Sequence, residues 1–406
     1  MFQRMHHIKQ LSLGYYVYHG AEHSRFGHMI GAMHLAGLAY DSIAHNSKKF
    51  GDFERDETDR KTLRIAALLH DIGHAPFSHS LENLLHDKHE NYSISLVDNY
   101  FKELIENAGV KSESVKNLIL GAYSKPYLSK IINGQLDVDR LDYLLRDSHY
   151  AGVTYGKYDL GRIIDQLCVV DGHFVVLEGG YEAVEQMIFA RYQMYQQVYF
   201  HKTKRAFELM LWKCGEILKT TGKLDVPTLD ELKTTEGQDK FLQCDDRWFL
   251  NKIFQNNNPT EVQTIANMIK NRKPYYETYS PTINRKSPPS PRIEPDNSIT
   301  ILEPIQNALK KNFESLGIQD HEFLIDMTER SPYNLVPYTP ESEEEGSSIK
   351  IFYKNNRYFE PIEQRSHVVY TLAVHKPAMM RGFVIPSKYT IVKSFLSNID
   401  FHIPDR

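Results

Sequence analysis

Apolar residues recur at every third or fourth position over long stretches before residue 279, which is the spacing of helices with one buried face. From Phe26 to about Ile43, Met29, Ala36 and Tyr40 fall on one such face. Alternating apolar residues on both sides of Gly172 predict a small β-hairpin at 169–177 instead. Helical spacing predicts further helices at 2–11, 63–69, 80–85, 92–108, 114–122, 135–146, 183–218 and within 229–270.

The pattern changes after residue 278. Five prolines stand among Ser, Lys and Arg in 279–298, a composition typical of a linker or an exposed loop. Beyond it, a helix is predicted at 305–316 and strands at 323–326, 349–353, 368–374 and 382–385. We therefore predict a mainly α protein with a helical domain at 1–278, a Pro/Ser-rich linker at 279–298 and a smaller mixed α/β region at 299–406.

Composition narrows the class of protein. Hydrophobic residues make up 41% of the 406 residues, and no stretch is apolar enough to span a bilayer, so we expect no membrane association. A net charge of −4 argues against a dedicated nucleic-acid binder but not against a local basic pocket. Three widely spaced cysteines and the lack of a signal peptide in Met1–Gln10 predict a cytoplasmic protein.

The strongest candidate for chemistry is the stretch Leu63–Glu82, LRIAALLHDIGHAPFSHSLE. Its apolar first part predicts a buried helix that ends at His70 and Asp71. Gly73 is expected to permit a sharp change of direction, and Pro76 to begin a new helix. An imidazole beside a carboxylate is half of a divalent metal site, which needs two more ligands from elsewhere.

Two other predicted helices supply those ligands. His28 lies one turn into its helix, and Asp139 lies on the polar face of an otherwise apolar helix. Two imidazoles and two carboxylates suit one divalent ion (Mn²⁺, Fe²⁺, Zn²⁺, Ni²⁺ or Mg²⁺) and discriminate poorly among these. Such an ion can lower the pKa of water and polarise a phosphoryl oxygen.

The order His28, His70–Asp71, Asp139 resembles the signature of the HD-domain phosphohydrolases. FQRMHHIKQL, HSRFGH, HDIGHAPFSH, LDVDRLDYLLRD and YFHK, in this order, resemble the deoxynucleoside triphosphate triphosphohydrolase branch, which includes the mammalian SAM-and-HD-domain enzyme. The likeness covers Phe2 to about Lys202. It implies an HD-domain helical bundle that hydrolyses deoxynucleoside triphosphates at the α-phosphorus, giving a deoxynucleoside and inorganic triphosphate.

The same resemblance implies roles for further residues. His74 and His79 would contact phosphate, and Glu82 and His89 would form the acid/base pair that protonates the leaving 5′ oxygen. Cationic side chains suit the triphosphate if their helices line one cleft. We expect the triphosphate contacts to come from Arg140, Arg191 and Lys202, with Tyr195 standing where the mammalian enzyme has His.

For the nucleoside, the resemblance places Gln10 and Asp147 on the sugar 3′-OH. Leu11, Tyr143 and Tyr199 would crowd the 2′ position and exclude ribose, because a 2′-OH against an apolar wall is left unpaired. Arg25 would stack on the base. Related enzymes form dimers or tetramers, and several respond to nucleotides, so a homo-oligomer and a nucleotide effector are further expectations. The block at Phe2 starts so abruptly that we also expect natural residues before Met1.

Two alternatives stay open from the sequence. The chain could be an HD-domain phosphohydrolase that acts on a nucleoside monophosphate, a guanosine alarmone or another phosphoester. It could also be a non-catalytic nucleotide-binding protein that keeps the fold. The complete set of four metal ligands favours an enzyme, and the pairing of Gln10 with Arg191 and Lys202 favours a triphosphate substrate.

Overall fold

The computed structural model describes residues 1–50, 53–280, 282–286, 299–328 and 348–397. Its described residues form two compact units that interleave along the chain. The first contains 1–198, 225–250 and 348–374, and the second contains 199–224, 251–328 and 375–397, with the gaps just given. Among the described residues, no helix is both long and apolar enough to cross a bilayer.

The helices are named here in chain order. They are α1 (Arg25–Ser47), α2 (Glu57–Leu69), α3 (His89–Asn99), α4 (Lys102–Asn107), α5 (Ser112–Ile119), α6 (Pro126–Asn133), α7 (Val138–Ala151), α8 (Leu160–Asp165), α9 (Tyr181–Met194), α10 (Lys202–Thr220), α11 (Thr235–Gln243), α12 (Asp246–Ile253), α13 (Thr260–Lys270), α14 (Ile299–Ser315), α15 (Ile362–Arg365), α16 (His367–Val374) and α17 (Tyr389–Ser397). Short 3₁₀ turns include Phe2–His7 and Ser78–Leu84.

The strands are β1 (Leu167–Val170), β2 (His173–Leu177), β3 (Tyr276–Tyr279), β4 (Thr282–Lys286), β5 (Phe323–Thr328), β6 (Lys350–Tyr353), β7 (Tyr358–Pro361) and β8 (His375–Val384). In the first unit the sheet order is β1-β2-β6-β7, with β2 and β6 parallel and the other pairs antiparallel. In the second unit β8 pairs antiparallel with β3, β4 and β5.

Helix α1 is the centre of the first unit, where it packs against α2, α7 and β1. Its face carries Met29, Ala32, Ala36, Tyr40 and Ile43, all with no exposed surface. Such complete burial of a helical stripe is the main source of its stability, since helix propensity contributes little. Because α1, α2 and α7 share this core, the polar residues on their inner edges are brought to one place.

The second unit has a core of its own. Side chains from α14, the sheet and α17 meet there, with Leu309, Phe313 and Met380 fully buried. Its strands come from sequence-distant segments, since β8 pairs with β5 from Phe323 to Thr328 and with β4 from Thr282 to Lys286. The mixed α/β region predicted after residue 299 is therefore divided, because 299–328 and 375–397 belong to this unit while 348–374 belong to the first.

The mainly α fold is confirmed, but several elements differ from the prediction. The predicted strand 368–374 is wrong, because Val368 to Val374 lie in α16; Ser366 Oγ accepts a hydrogen bond from the Val369 amide at 3.0 Å and so begins the helix. The long helix 183–218 is interrupted by a π-helical segment at Tyr195–Tyr199. His89, predicted in a loop, begins α3.

The region predicted as a linker also contains regular structure. Residue 279 ends β3, and 282–286 form β4, while 281 and 287–298 lie outside the described residues. The two compact units do not follow a single cut in the sequence, since 199–224 and 251–278 group with the C-terminal strands. The acidic stretch 341–347 also lies outside the described residues.

Candidate metal centre and active site

Four side chains from three helices converge at one point in the first unit. His28 comes from the second turn of α1, His70 and Asp71 follow the C-terminal end of α2, and Asp139 comes from the first turn of α7. Their ligand atoms all lie within 4.8 Å of one another. His28 Nε2 is 3.0 Å from Asp139 Oδ1 and 3.5 Å from Asp71 Oδ2, and His70 Nε2 is 3.4 Å from Asp71 Oδ1. The four predicted metal ligands therefore form one cluster.

The cluster fits a divalent cation. The Nε2 atoms of His28 and His70 are buried and form no hydrogen bond, which is a costly state for a polar atom that has no further ligand. Burial alone would lower the pKa of His28, yet its contacts with Asp139, Asp142 and Asp71 raise that pKa well above the usual value. The pocket thus favours added positive charge, and these four residues would hold the ion.

The outward nitrogens of both histidines are fixed by other groups. His70 Nδ1 lies 2.8 Å from the carbonyl oxygen of Ala67, and His28 Nδ1 lies 2.8 Å from Asp142 Oδ2. Because these partners accept hydrogen bonds, they hold a proton on Nδ1, so that a metal ion that replaces any proton on Nε2 meets the lone pair of that atom. That is the tautomer a metal ligand needs.

The loop after Asp71 is shaped differently from the prediction. Gly73 does not take a positive φ; a Cβ there would lie 2.3 Å from the His89 carbonyl oxygen and 2.4 Å from the Ser93 nitrogen, so glycine allows α3 to approach. The left-handed residues are instead Phe77 and Ser78, with φ of 55° and 57°. Pro76 begins no helix of its own, and the following 3₁₀ turn starts at Ser78.

Strain at Phe77 and Ser78 is held by bonds from distant segments. The Phe77 amide donates to Asp246 Oδ1 at 2.6 Å, and Ser78 Oγ donates to the Lys9 carbonyl oxygen at 2.7 Å. Asp246 Oδ2 also accepts from the Lys9 amide at 2.8 Å. Non-glycine residues in this region cost about 1–3 kcal/mol each, so the surrounding contacts must enforce the conformation.

The predicted catalytic histidines surround Glu82. His89 Nδ1 is 2.5 Å from Glu82 Oε1, and His79 Nδ1 is 3.0 Å from Glu82 Oε2. The His74 ring stacks on that of His89 at 3.9 Å, with its Nε2 3.2 Å from Asp71 Oδ1. One carboxylate therefore orients two imidazoles beside a third that contacts a metal ligand.

The surroundings of Glu82 and His74 shift the pKa values of both groups downward. Burial raises the pKa of Glu82, but the hydrogen bonds from His79 and His89 outweigh it and lower that pKa far below the usual range. Burial, together with the nearby Arg25, lowers the pKa of His74 well below 6.5. At neutral pH the cluster combines a carboxylate with a neutral, buried imidazole. The ligand atoms of His74, His79 and His89 also lie within 4.8 Å of one another, close enough to share one cation.

Arg25 lies at the metal ligands. Its Nη1 donates to Asp71, and its Nε donates to Ser78 Oγ at 2.7 Å, with only 4% of the side chain exposed. The stacking of Arg25 on a base stays a prediction. What the structure shows is a link between a metal ligand and the strained loop.

Two arginines, Arg140 and Arg191, lie close enough to Asp137 and Tyr143, on either side of Asp139 in sequence, for their charges to act on them. Arg140 donates to Asp137 and to the Gly134 carbonyl oxygen, and Arg191 lies with its guanidinium carbon 5.6 Å from the ring centre of Tyr195. Burial raises the pKa of Tyr143 well above its usual value, and that pKa also responds to the charges of Tyr195, Arg191 and Arg140. These four predicted substrate contacts share one neighbourhood.

Two of the predicted sugar contacts, Gln10 and Asp147, both lie beside His23. The backbone N–H of Gln10 donates to the backbone carbonyl oxygen of His23 at 3.1 Å, and the next residue, Leu11, is buried. Asp147 is 1% exposed, and its Oδ1 lies 2.7 Å from His23 Nε2. Gln10 Oε1 and His23 Nδ1 are buried without a hydrogen bond. The structure thus connects Gln10, through its backbone, and Asp147, through its carboxylate, to the same residue, His23.

Tyr199 and Lys202 belong to the second unit. Tyr199 ends the π-helical segment, and exposed Lys202 is the first residue of α10. Their proposed contacts with the 2′ position and the triphosphate stay predictions.

Sequence reasoning missed the residues that support the site. Asp142 and Arg146 were expected only as parts of an amphipathic helix, although they follow Asp139 at intervals of three and four residues and so share its face. His23 was left without a role. Asp246 offered no signal at all, because only the fold brings it next to Phe77 and Lys9.

Comparison with protein families agrees with this geometry. Residues 25–147 match the family model described as HD domain, and residues 158–378 match the model described as HD associated region. The first match runs from Arg25 to Asp147 and so contains all four clustered ligands. The chain belongs to the HD-domain phosphohydrolases.

Two relatives from different organisms show how far the sequence similarity extends. Protein YwfO of Bacillus subtilis is 40% identical over 215 residues, which are 52% of this chain and 48% of that protein. The deoxynucleoside triphosphate triphosphohydrolase SAMHD1 homolog of Dictyostelium discoideum is 30% identical over 247 residues, 56% of this chain and 47% of that protein. This chain therefore spans about half the length of these curated relatives.

A solved structure covers nearly the whole chain. The crystal structure of a phosphohydrolase from Bacteroides thetaiotaomicron is similar with a TM-score of 0.71 and 27% identity, covering 95% of this chain and 93% of that one. The similarity therefore extends beyond the HD domain into the second unit.

Proposed function

We propose that this protein is a metal-dependent deoxynucleoside triphosphate triphosphohydrolase. Water would attack the α-phosphorus of the substrate, the bond from phosphorus to the 5′ oxygen would break, and the products would be a deoxynucleoside and inorganic triphosphate. The observation that carries this proposal is the arrangement of His28, His70, Asp71 and Asp139 within 4.8 Å, beside histidines held by Glu82.

Each part of the site has a place in that reaction. A bound divalent ion would polarise the phosphoryl group and lower the pKa of water. His79 and His89 both direct Nδ1 at the Glu82 carboxylate; the Nε2 of His89 would exchange a proton with the leaving 5′ oxygen, and that of His79 would contact phosphate. His74, neutral and without a hydrogen bond, is suited to contact a phosphate oxygen.

Cationic and apolar groups support a deoxynucleoside triphosphate in particular. Arg140 and Arg191, close to Asp139, supply positive charge for the phosphates. Gln10 and Asp147 offer polar groups for a 3′-OH, while Leu11, Tyr143 and Tyr199 are proposed to exclude a 2′-OH. The names of the related triphosphohydrolases agree with this substrate class.

The test is product analysis with metal added back. Purified protein, stripped with chelator and reloaded with Mn²⁺, is incubated with each deoxynucleoside triphosphate in water enriched in oxygen-18. Phosphorus NMR should show inorganic triphosphate that carries the label, because attack at the α-phosphorus puts the new oxygen there. Orthophosphate or pyrophosphate as the first product would show that the assigned bond is wrong.

Substrate controls separate the alternatives. Ribonucleoside triphosphates should react at least tenfold more slowly if the 2′ position is crowded. Turnover of a nucleoside monophosphate or a guanosine alarmone, without turnover of any deoxynucleoside triphosphate, would instead identify another phosphohydrolase. Binding of the triphosphate without turnover at saturating metal would identify a nucleotide-binding protein. His70→Ala is the matched inactive control.

We propose in addition that the protein assembles as a dimer or tetramer and that a nucleotide can act as effector. Both ideas come from the kinship with oligomeric triphosphohydrolases. Light scattering after size exclusion, with and without added nucleotides, measures the mass directly. A monomer under all conditions would contradict the assembly, and turnover independent of any second nucleotide would contradict the effector.

A further inference from the structure

Asp142 sits behind the metal cluster without belonging to it. It lies on α7, three residues after Asp139, and its Oδ2 is 2.8 Å from His28 Nδ1. Both side chains are nearly inaccessible, with 0% of His28 and 8% of Asp142 exposed. The carboxylate therefore contacts the ring edge of His28 that carries Nδ1, while Nε2 on the other edge is directed at the metal ligands.

A clamp holds this carboxylate from two sides. Arg146, one turn further along α7, donates from Nε to Asp142 Oδ2 at 2.8 Å and from a terminal nitrogen to Oδ1 at 2.7 Å. On the other side, a Cβ at Gly31 would lie 1.8 Å from Asp142 Oδ1 and 2.4 Å from Arg146. A Cβ at Gly27, one turn away, would meet Arg146 at 3.3 Å.

The two glycines have no other evident reason to stand inside a helix. Glycine in a helix interior is about 1 kcal/mol less favourable than alanine, and α1 carries both in its first two turns. The missing side chains open the space that Asp142 and Arg146 occupy. The pair is thus built into the packing of α1 against α7, unlike a solvent-exposed ion pair.

We propose that Asp142, clamped by Arg146 against Gly31, is a positioning residue that fixes the orientation and tautomer of His28 and thereby sets the metal affinity of the site. The inference rests on the proposed role of His28 as a metal ligand. A carboxylate on Nδ1 keeps the proton there and makes Nε2 a stronger donor to the metal. A rotated or wrongly protonated ring would present no lone pair to the ion.

The test measures metal binding directly. Mn²⁺ affinity of chelator-stripped protein is determined by competition with a fluorescent chelator for the wild type, Asp142→Asn and Arg146→Gln. Asparagine keeps the shape of Asp142 but loses its charge, so Mn²⁺ should bind about 10- to 100-fold more weakly. Turnover should recover toward the wild-type kcat when Mn²⁺ is raised in proportion, a rescue that a misfolded protein would not show.

Asp41→Asn is the matched control. Asp41 lies on α1, the helix of His28, and like Asp142 it is bound through both oxygens by an arginine, here Arg60 at 2.9 and 2.7 Å, but it contacts no metal ligand. Its Mn²⁺ affinity should stay within about twofold of the wild type.

Three results distinguish a failure of the positioning role of Asp142 from a failure of the metal site. Wild-type affinity in Asp142→Asn and Arg146→Gln, with metal lost in His28→Ala, would overturn the positioning role and leave the metal site standing. Wild-type affinity in His28→Ala would overturn the metal site and the inference together. If Asp142→Asn does not fold, Arg146→Gln, which only loosens the clamp, decides by the same measurement, with a smaller loss expected.

Discussion

At the scale of single residues, a carboxylate on Nδ1 of an imidazole recurs with different consequences. Asp142 holds His28, whose other nitrogen faces the metal ligands. Glu82 holds His79 and His89, whose other nitrogens are available to a substrate. The same hydrogen bond thus prepares a ligand in the first case and a proton carrier in the second.

Replacing Glu82 should therefore separate catalysis from metal binding. In Glu82→Gln the two imidazoles lose their shared anion, and turnover should fall about 10²- to 10⁴-fold, the usual contribution of acid–base groups. Metal content by mass spectrometry should match the wild type, because Glu82 touches none of the four clustered ligands. Glu90→Gln is the control, an exposed carboxylate 3.4 Å from the same His89 nitrogen, and should lose less than about threefold. Equal losses in both variants would contradict the role of Glu82.

At the scale of elements, the loop between α2 and α3 depends on close contacts more than on flexible backbone. Gly73 lies against α3 with no room for a Cβ, and its amide donates to Ser93 Oγ at 2.9 Å. Phe77 and Ser78 keep left-handed backbones because Asp246 and Lys9 bind their polar groups. These contacts fix the direction in which His74 and His79 leave the loop.

Gly73→Ala should displace α3 from the loop. The new methyl group would meet backbone atoms at 2.3 and 2.4 Å, which cannot move aside as a side chain would. We expect a loss of about 3 kcal/mol in the free energy of unfolding, together with most of the turnover. Gly161→Ala in α8 is the control, because its methyl group would contact nothing closer than 3.6 Å and should be neutral or stabilising. Urea titrations measure both, and equal stabilities would refute the packing explanation.

Asp246, which accepts hydrogen bonds from the Phe77 and Lys9 backbone, should make the stability of the folded protein depend on pH. Burial raises the pKa of Asp246 from 3.8 to about 7. The folded protein then holds a proton that the unfolded chain has released, so this group stabilises fully below about pH 4 and the stabilisation is lost as pH rises through 7. Asp246→Asn cannot titrate. The stability of the wild type relative to Asp246→Asn should therefore decrease between about pH 4 and pH 7, by about 4 kcal/mol in total, and stay level above that. Urea titrations across this range measure the difference, and a flat or rising one would contradict the raised pKa.

At the scale of the whole molecule, the site joins helices that are far apart in sequence. The predicted metal ligands span residues 28 to 139, and Asp246 holds the loop between α2 and α3 through the Phe77 backbone N–H. The Nε2 atoms of His28 and His70 are buried without a hydrogen bond, next to the carboxylates of Asp71 and Asp139. Metal binding should therefore be coupled to the stability of the first unit.

Addition of metal should raise the melting temperature of the stripped protein. A ligand at a hundredfold excess over its Kd stabilises the folded state by about 2.7 kcal/mol, which corresponds to a rise of several degrees. Calorimetric scans at increasing Mn²⁺ concentration measure it. His28→Ala should show almost no rise, and an equal rise in that variant would place the stabilising ion elsewhere.

Some of these features could be predicted from the sequence. The helical spacing identified α1, α2 and α7, and the types and order of His28, His70–Asp71 and Asp139 predicted ligands that the structure brings together. Short-range signals failed where distant contacts decide the outcome. The run from Val368 to Val374 favours a strand by propensity but is capped as a helix by Ser366. Gly73 lies in the turn that the sequence predicts after α2, but the structure needs a glycine there for close packing against α3.

The sequence by itself determined the mainly α class and the kinship with HD-domain phosphohydrolases, because periodicity and motif order are local properties of the chain. Only the tertiary structure decided which carboxylate orients which histidine, why α1 needs Gly31, and how Asp246 holds the loop from 169 residues away. The physical reason is that hydrogen bonds and steric contacts depend on distance in space. Residues far apart in sequence carry no signal of their partner until the core brings the helices together.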